Sequence, residues 1–267
     1  MSTGFSPVGP RRTFEGAVAQ IAERVRLGEL SEGERLPSER ELAAAMQISR
    51  PTLREAVRVL ADAGVLSVRP GSGGGIFVAS GYVPIGLIQA KSEMRLDEVA
   101  GVIEARRLLE PRVAQLAAVH AREDDFARLQ ATIDKQKELL AGGQVLDAED
   151  RFLQLDTQFH LAIARATGNT TIVPMVRMLL RRLEIARDMT LHEPPVPDWA
   201  IDIHEQTLAA IRSADHPRIE RVMDEHLATM ERHWEQETER VLVPQVPDFL
   251  RPVAERAAAA GRKSAES

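Results

Sequence analysis

Apolar positions along the chain follow a helical period, then a period of two, then a helical period again, and these changes divide it. Phe14, Val18, Ile21 and Val25 mark one face of a first helix that begins at Thr13 and ends near Gly28. Leu36-Pro37 forces a break, and Ser38-Glu39-Arg40-Glu41 is an S-x-x-E capping box that opens a second helix running through Met46. A third starts at Ser49, a natural N-cap, with Pro51 in the first turn, where the missing N–H is no loss. Leu53, Ala56, Val57 and Leu60 share its apolar face, while Pro51, Arg54, Glu55 and Arg58 lie opposite. Two short helices joined by a tight turn are the helix-turn-helix arrangement, whose second helix lies in a DNA groove. Val65 to Arg69 and Gly75 to Ala79 then read as strands around the turn Pro70–Gly74, which predicts a wing.

From Leu96 the helical period returns. Helices are expected at about 96–120, 123–141, 145–167, 171–190, 197–213 and 216–242, with breaks at Gly142-Gly143, Gly168-Asn169, Pro194-Pro195 and near His216-Pro217. Six such helices suit a compact bundle. The fold class is therefore mainly α: a flexible arm over 1–12 carrying Arg11 and Arg12, a winged helix-turn-helix over 13–80, a connector over 81–95, an all-α bundle over 96–242 and a Pro- and Ala-rich tail over 243–267.

Composition agrees with this picture. Aromatic residues make up only 4% of the chain, which favours helices over a large sheet. With no cysteine there are no disulfides and no thiolate metal sites, so a metal would have to be held by histidines and carboxylates. The chain shows no signal-like apolar run and no stretch of about 18 apolar residues, so no membrane span is expected and a cytoplasmic location is. The net charge of -6 is carried by the C-terminal part, since residues 1–80 hold ten Lys and Arg against nine Asp and Glu. Bulk acidity therefore does not argue against DNA binding by the N-terminal part.

The exposed start of the third helix, with Ser49, Arg50, Thr52 and Arg54, suits phosphate and base-edge contacts in a major groove. In the bundle, Asp156 and His160 lie four apart along the edge of the stripe Phe152, Leu155, Phe159 and Ile163. His204 shares a face with Leu208 and Ile211, and His226 shares one with Val222, Met223 and Met230. These four are either separately hydrogen-bonded core residues or one metal site. Arg106, between Ile103 and Leu109 on an apolar face, is either a fork for a carboxylate ligand or the partner of Glu110 four residues on. Asn169 is either a turn residue after Gly168 or a ligand contact.

Leu36 to Ala79, LPSERELAAAMQISRPTLREAVRVLADAGVLSVRPGSGGGIFVA, resembles the DNA-binding domain of GntR-type bacterial transcription regulators. The resemblance implies DNA contacts from Arg40, Ser49, Arg50, Thr52, Arg54 and Gly71 of the wing. Residues 96–230 resemble the FCD ligand-binding domain of the FadR subfamily, through Glu104-Ala-Arg106-Arg107-Leu108-Leu109-Glu110, Asp156-x-x-Phe159-His160, Gly168-Asn169, His204 and Asp224-Glu-His226. That resemblance implies a divalent metal (Zn, Ni or Mn) held by Asp156, His160, His204 and His226, with open positions for an effector carboxylate. Arg106 and Asn169 are the expected effector contacts. The whole reads as a homodimeric repressor of a pseudo-palindromic operator, released by a small hydroxy or sugar acid. The alternative is a metal-dependent hydrolase or lyase using the same Asp/His3 set, for which no general base is identifiable.

Overall fold

The computed structural model describes residues 13–71, 73–88, 96–142, 148–190 and 198–238. The arm over 1–12 and the tail over 243–267 lie outside the described residues. The chain divides into two compact units, residues 1–91 and 92–267.

In the N-terminal unit, α1 (Thr13–Arg26), α2 (Glu39–Ala45) and α3 (Arg50–Asp62) precede strands β1 (Leu66–Arg69) and β2 (Gly75–Val78). The elements stand where the hydrophobic pattern puts them. Ser38 caps α2 as half of a complete capping box with Glu41, and the Ser49 hydroxyl accepts from the Thr52 N–H at the start of α3. The three helices also end alike. Gly28, Gln47 and Gly64 each adopt a positive φ just past the C-terminus, and the next N–H returns to a carbonyl of the last helical turn. Gln47 takes a backbone conformation that normally favours glycine, and it does so inside the turn that joins α2 to α3.

Leu53, Ala56, Val57 and Leu60 bury the inner face of α3 against Val18, Ile21 and Val25 of α1. The antiparallel wing pairs Leu66 with Val78 and Arg69 with Gly75. Its loop needs glycine at position 74, where a Cβ would lie 2.1 Å from the Arg69 carbonyl oxygen. The core extends into the start of the stretch expected as connector, through Val83 and Ile88. Buried Arg26 fastens that segment by donating from Nη1 to the Val83 carbonyl at 2.6 Å.

The C-terminal unit consists of α4 (Leu96–His120), α5 (Glu123–Ala141), α6 (Ala148–Ala166), α7 (Ile172–Thr190), α8 (Asp198–Arg212) and α9 (His216–Thr238). These bounds fall within a few residues of those expected. Helix α4 packs against α6, α7, α8 and α9, while α5 packs against α6 and α8. Central α4 therefore carries polar groups that are wholly enclosed. Arg106 is 0% exposed, and the partly buried pair Arg107–Glu231 ties α4 to α9. Among the described residues, no helix is long and apolar enough to cross a membrane.

Candidate functional site

Three helices deliver one polar cluster of four residues to the interior of the C-terminal unit. Asp156 and His160 come from α6, one turn apart, His204 from α8 and His226 from α9; all four are buried. One ligand atom from each lies within 4.8 Å of the others. Donors bound at ~2.1 Å to one tetrahedral metal would stand about 3.4 Å apart, so shifts of roughly an ångström would close the set. Phe159 stacks on the His204 ring, with centroids 4.1 Å apart, and limits the ring's rotation.

The outward nitrogens of two of these rings are fixed by neighbours. His160 Nδ1 lies 2.9 Å from Glu110 Oε2, and His204 Nδ1 lies 2.9 Å from Gln136 Oε1. Both partners accept, so both Nδ1 atoms carry the proton and both Nε2 atoms carry a lone pair. Those lone pairs face Asp156 Oδ1 at 3.8 Å for His160 and 3.4 Å for His204. At His204 an acceptor therefore confronts an acceptor in a buried space, an arrangement that a cation relieves. His204 Nε2 and His226 Nδ1 have no hydrogen-bond partner among the described residues. Buried polar atoms rarely stay unpaired, so the donor set fits a divalent metal.

The protonation balance points the same way. Burial lowers the pKa of His204, with the Asp156 carboxylate opposing it. Burial drives His226 well below the ordinary histidine value, and the neighbouring His160 and His204 push it further. Neutral rings are the ligating form. Burial alone would raise Glu110, but the charge of Arg106, with the hydrogen bonds from His160 and Arg106, overcomes it and holds the carboxyl well below the usual range.

Arg106 shows which of its two expected partners it meets in this structure. Its Nε donates to Glu110 Oε1, its Nη2 donates to Glu110 Oε2 at 3.2 Å, and Nη1 lies 3.3 Å from Met230 Sδ. Nη2 also approaches His160 Nε2 at 3.4 Å, so one edge of the guanidinium borders the cluster. Asn169 is placed elsewhere. It is exposed in the turn after α6, and its Oδ1 accepts from the Thr171 and Ile172 N–H groups at the start of α7. The end of α6 lies roughly 15 Å along the helix from Asp156 at 1.5 Å per residue.

Two supporting residues escaped the sequence reading. Helical spacing pairs Glu110 with Arg106, and the structure shows that it also orients His160. Gln136, which orients His204, continues the apolar stripe Phe126, Leu129 and Ile133 on α5 and is 0% exposed. A lone amide in an apolar stripe was the available signal.

In the N-terminal unit, Arg40, Ser49, Arg50 and Arg54 are exposed, Thr52 is half-buried, and Gly71 in the wing is exposed with a φ of 97°. The Ser49 and Thr52 hydroxyls lie 2.7 Å apart within the N-cap of α3. Arg50 and Arg54 both donate to Glu39 of α2. In the wing, the Arg69 guanidinium sits 4.4 Å over the Phe77 ring.

Comparison with known proteins accounts for both units. Residues 13–78 match the family described as bacterial regulatory proteins, gntR family, and residues 101–229 match the FCD domain. The chain is 27% identical over 239 residues to the HTH-type transcriptional repressor NanR of Salmonella newport, covering 85% of this chain and 87% of that protein. NanR of Salmonella typhimurium matches at 27% over 239 residues as well, with 85% and 86% covered. Among solved structures, McbR/YncC of E. coli is similar in fold, with a TM-score of 0.51, 20% identity, and 84% of this chain and 98% of that one covered. The capped helix pair with its glycine-turn wing, followed by six helices that enclose an Asp/His cluster, thus has a family: the chain belongs to the GntR bacterial regulators with an FCD domain, and is a DNA-binding transcription regulator rather than an enzyme.

Proposed function

We propose that the protein is a repressor whose operator binding is released by a small organic acid, a hydroxy acid or a sugar acid, bound beside a divalent metal in the FCD domain. The observation that carries this reading is the convergence of Asp156, His160, His204 and His226 in the bundle interior, with His204 Nε2 and His226 Nδ1 lacking a hydrogen-bond partner among the described residues. Those four residues would hold the ion, whether Zn, Ni or Mn. When bound, it supplies a Lewis-acidic centre that a carboxylate oxygen can reach. Arg106 presents Nη2 toward the cluster and is the effector-facing cation. Asn169, with Oδ1 engaged at the start of α7, contributes at most its amide nitrogen. Repression is supported by the relatives named as repressors.

On the DNA side, Arg40, Ser49, Arg50, Thr52, Arg54 and Gly71 make the contacts. One short recognition helix offers few base contacts, so two copies on a pseudo-palindromic operator are required for useful specificity. Effector binding shifts the dimer between arrangements that fit the two half-sites and arrangements that do not.

Two measurements test the parts separately. His204→Ala is expected to lower the metal content of the purified protein in elemental analysis; full stoichiometry would remove His204 from the ligand set. Arg50→Ala is expected to cost about 1–3 kcal/mol in operator binding and to relax base preference at one position of each half-site. A mobility-shift titration that superimposes on the wild type would dismiss its role. A thermal-shift screen of organic acids, run with and without chelator, then identifies the effector class.

A further inference from the structure

Glu39 lies between the two arginines at the exposed start of α3. Its Oε1 accepts from Arg50 Nε at 2.8 Å, and its Oε2 accepts from Arg54 Nε at 2.8 Å. The three side chains differ in exposure: Glu39 is 26% exposed, whereas Arg50 is 57% and Arg54 63%. The carboxylate is the inner member, and the guanidinium ends reach outward from it. We propose that Glu39 is a positioning residue for DNA reading, which holds Arg50 and Arg54 by Nε so that only their terminal Nη1/Nη2 forks face the major groove.

The argument starts from donor geometry. An arginine can meet a guanine end-on through both Nη atoms or side-on through Nε and one Nη, and both satisfy O6 and N7. With Nε engaged on α2, the side-on mode is closed. Long side chains on an exposed helix sample many rotamers, and ordering them on DNA costs affinity. A carboxylate from the neighbouring helix reduces that cost at both positions before DNA arrives. The hydrogen bond from Arg54 leads in holding the Glu39 carboxyl below its usual range, with Arg50 adding to it, so it remains an acceptor at neutral pH.

Glu39 also has a plain structural reading. As the first residue of α2 it places negative charge at a helix N-terminus, which is favourable in any helix. Glu41 in the same turn provides that already and completes the capping box as well. A carboxylate on a surface that approaches phosphates weakens attraction to any duplex. Removing a positioning residue therefore lowers specificity, whereas removing a bare charge changes affinity for every duplex and leaves specificity unchanged.

This inference rests on the reading that α3 enters the major groove, and the experiment separates the two. The full-length protein is used to select a duplex from a random-sequence library. Binding of that duplex and of a scrambled one is then measured for the wild type, Glu39→Ala, Glu39→Gln, Arg50→Ala and Arg54→Ala. For Glu39→Ala the expected result is scrambled-duplex affinity equal to or above wild type, with the selected-to-scrambled ratio reduced about tenfold, the scale of one lost base contact. Replacing the contacted guanines by 7-deazaguanine, which removes N7, should then cost Glu39→Ala less than it costs the wild type. The nearly isosteric Glu39→Gln, which keeps one acceptor, should fall between them and serves if the alanine variant folds poorly. An unchanged ratio in both Glu39 variants, whatever the shift in absolute affinity, overturns the proposal. If the ratio falls in the arginine variants but not in the Glu39 variants, positioning alone fails. If the arginine variants also keep wild-type ratios, the groove reading fails with it.

Discussion

Arg106→Leu is expected to destabilise the C-terminal unit by about 3–5 kcal/mol, the largest effect of any single substitution considered, because it strands a carboxylate in the bundle. Glu110 is 3% exposed and takes two hydrogen bonds from Arg106, so its ionised form depends on that guanidinium. Leucine fills much of the space but offers no donor. Glu110 must then take up a proton or remain an uncompensated buried charge beside His160, 2.9 Å away. Either outcome also disturbs the ring that Glu110 orients, so metal retention should fall together with stability. Urea unfolding of the metal-free protein followed by circular dichroism measures the first effect. A loss below about 1 kcal/mol would mean that Glu110 is not buried as a charge. Arg106→Leu/Glu110→Leu should recover much of the loss, since removing both members of a buried pair is often nearly neutral.

Gln136→Leu is expected to weaken metal binding about 10- to 100-fold while leaving all four ligating side chains in place. Gln136 Oε1 holds the proton of His204 on Nδ1, and through that tautomer it turns the Nε2 lone pair toward Asp156. Without this acceptor His204 can hold its proton on either nitrogen, and one of the two forms cannot ligate. The cost to folding should be small by comparison. The substitution removes a buried Nε2 that has no partner among the described residues, which offsets part of the loss of the His204 hydrogen bond. Titration against a chromophoric chelator reads the affinity directly. An affinity equal to that of the wild type would show that stacking on Phe159 alone orients the ring.

Much of the candidate site was legible because helical spacing reports direction. Asp156 and His160 at i and i+4 had to share a face, and the apolar stripe beside them told which face was inward. His204 and His226 followed from the same rule applied to their own helices. What helical spacing cannot report is which residue of another helix lies opposite. Gln136 and Glu110 are therefore missing from the sequence reading as orienting groups, although both lie in buried stripes. At Asn169 the local rule was sufficient: an asparagine after a C-terminal glycine accepts from the next turn, and it does so here.

The helix-turn-helix shows where local chemistry ends. Ser38, Glu41 and Ser49 specify their caps through contacts three residues away, so the starts of α2 and α3 are written in the chain itself. The turn between them is different, since Gln47 takes a left-handed conformation that nothing in its own side chain favours. Packing of Leu42, Ala43 and Leu53 into one core imposes it. By itself, then, the sequence determined the helices, the wing and the four ligand candidates, because each depends on spacing within one segment. Only the tertiary structure decided which acceptors orient the histidines and which carboxylate Arg50 and Arg54 share. The reason is physical: Gln136 meets a histidine 68 residues away and Glu39 meets arginines 11 and 15 residues away. No periodicity along one segment encodes the distance between two packed helices.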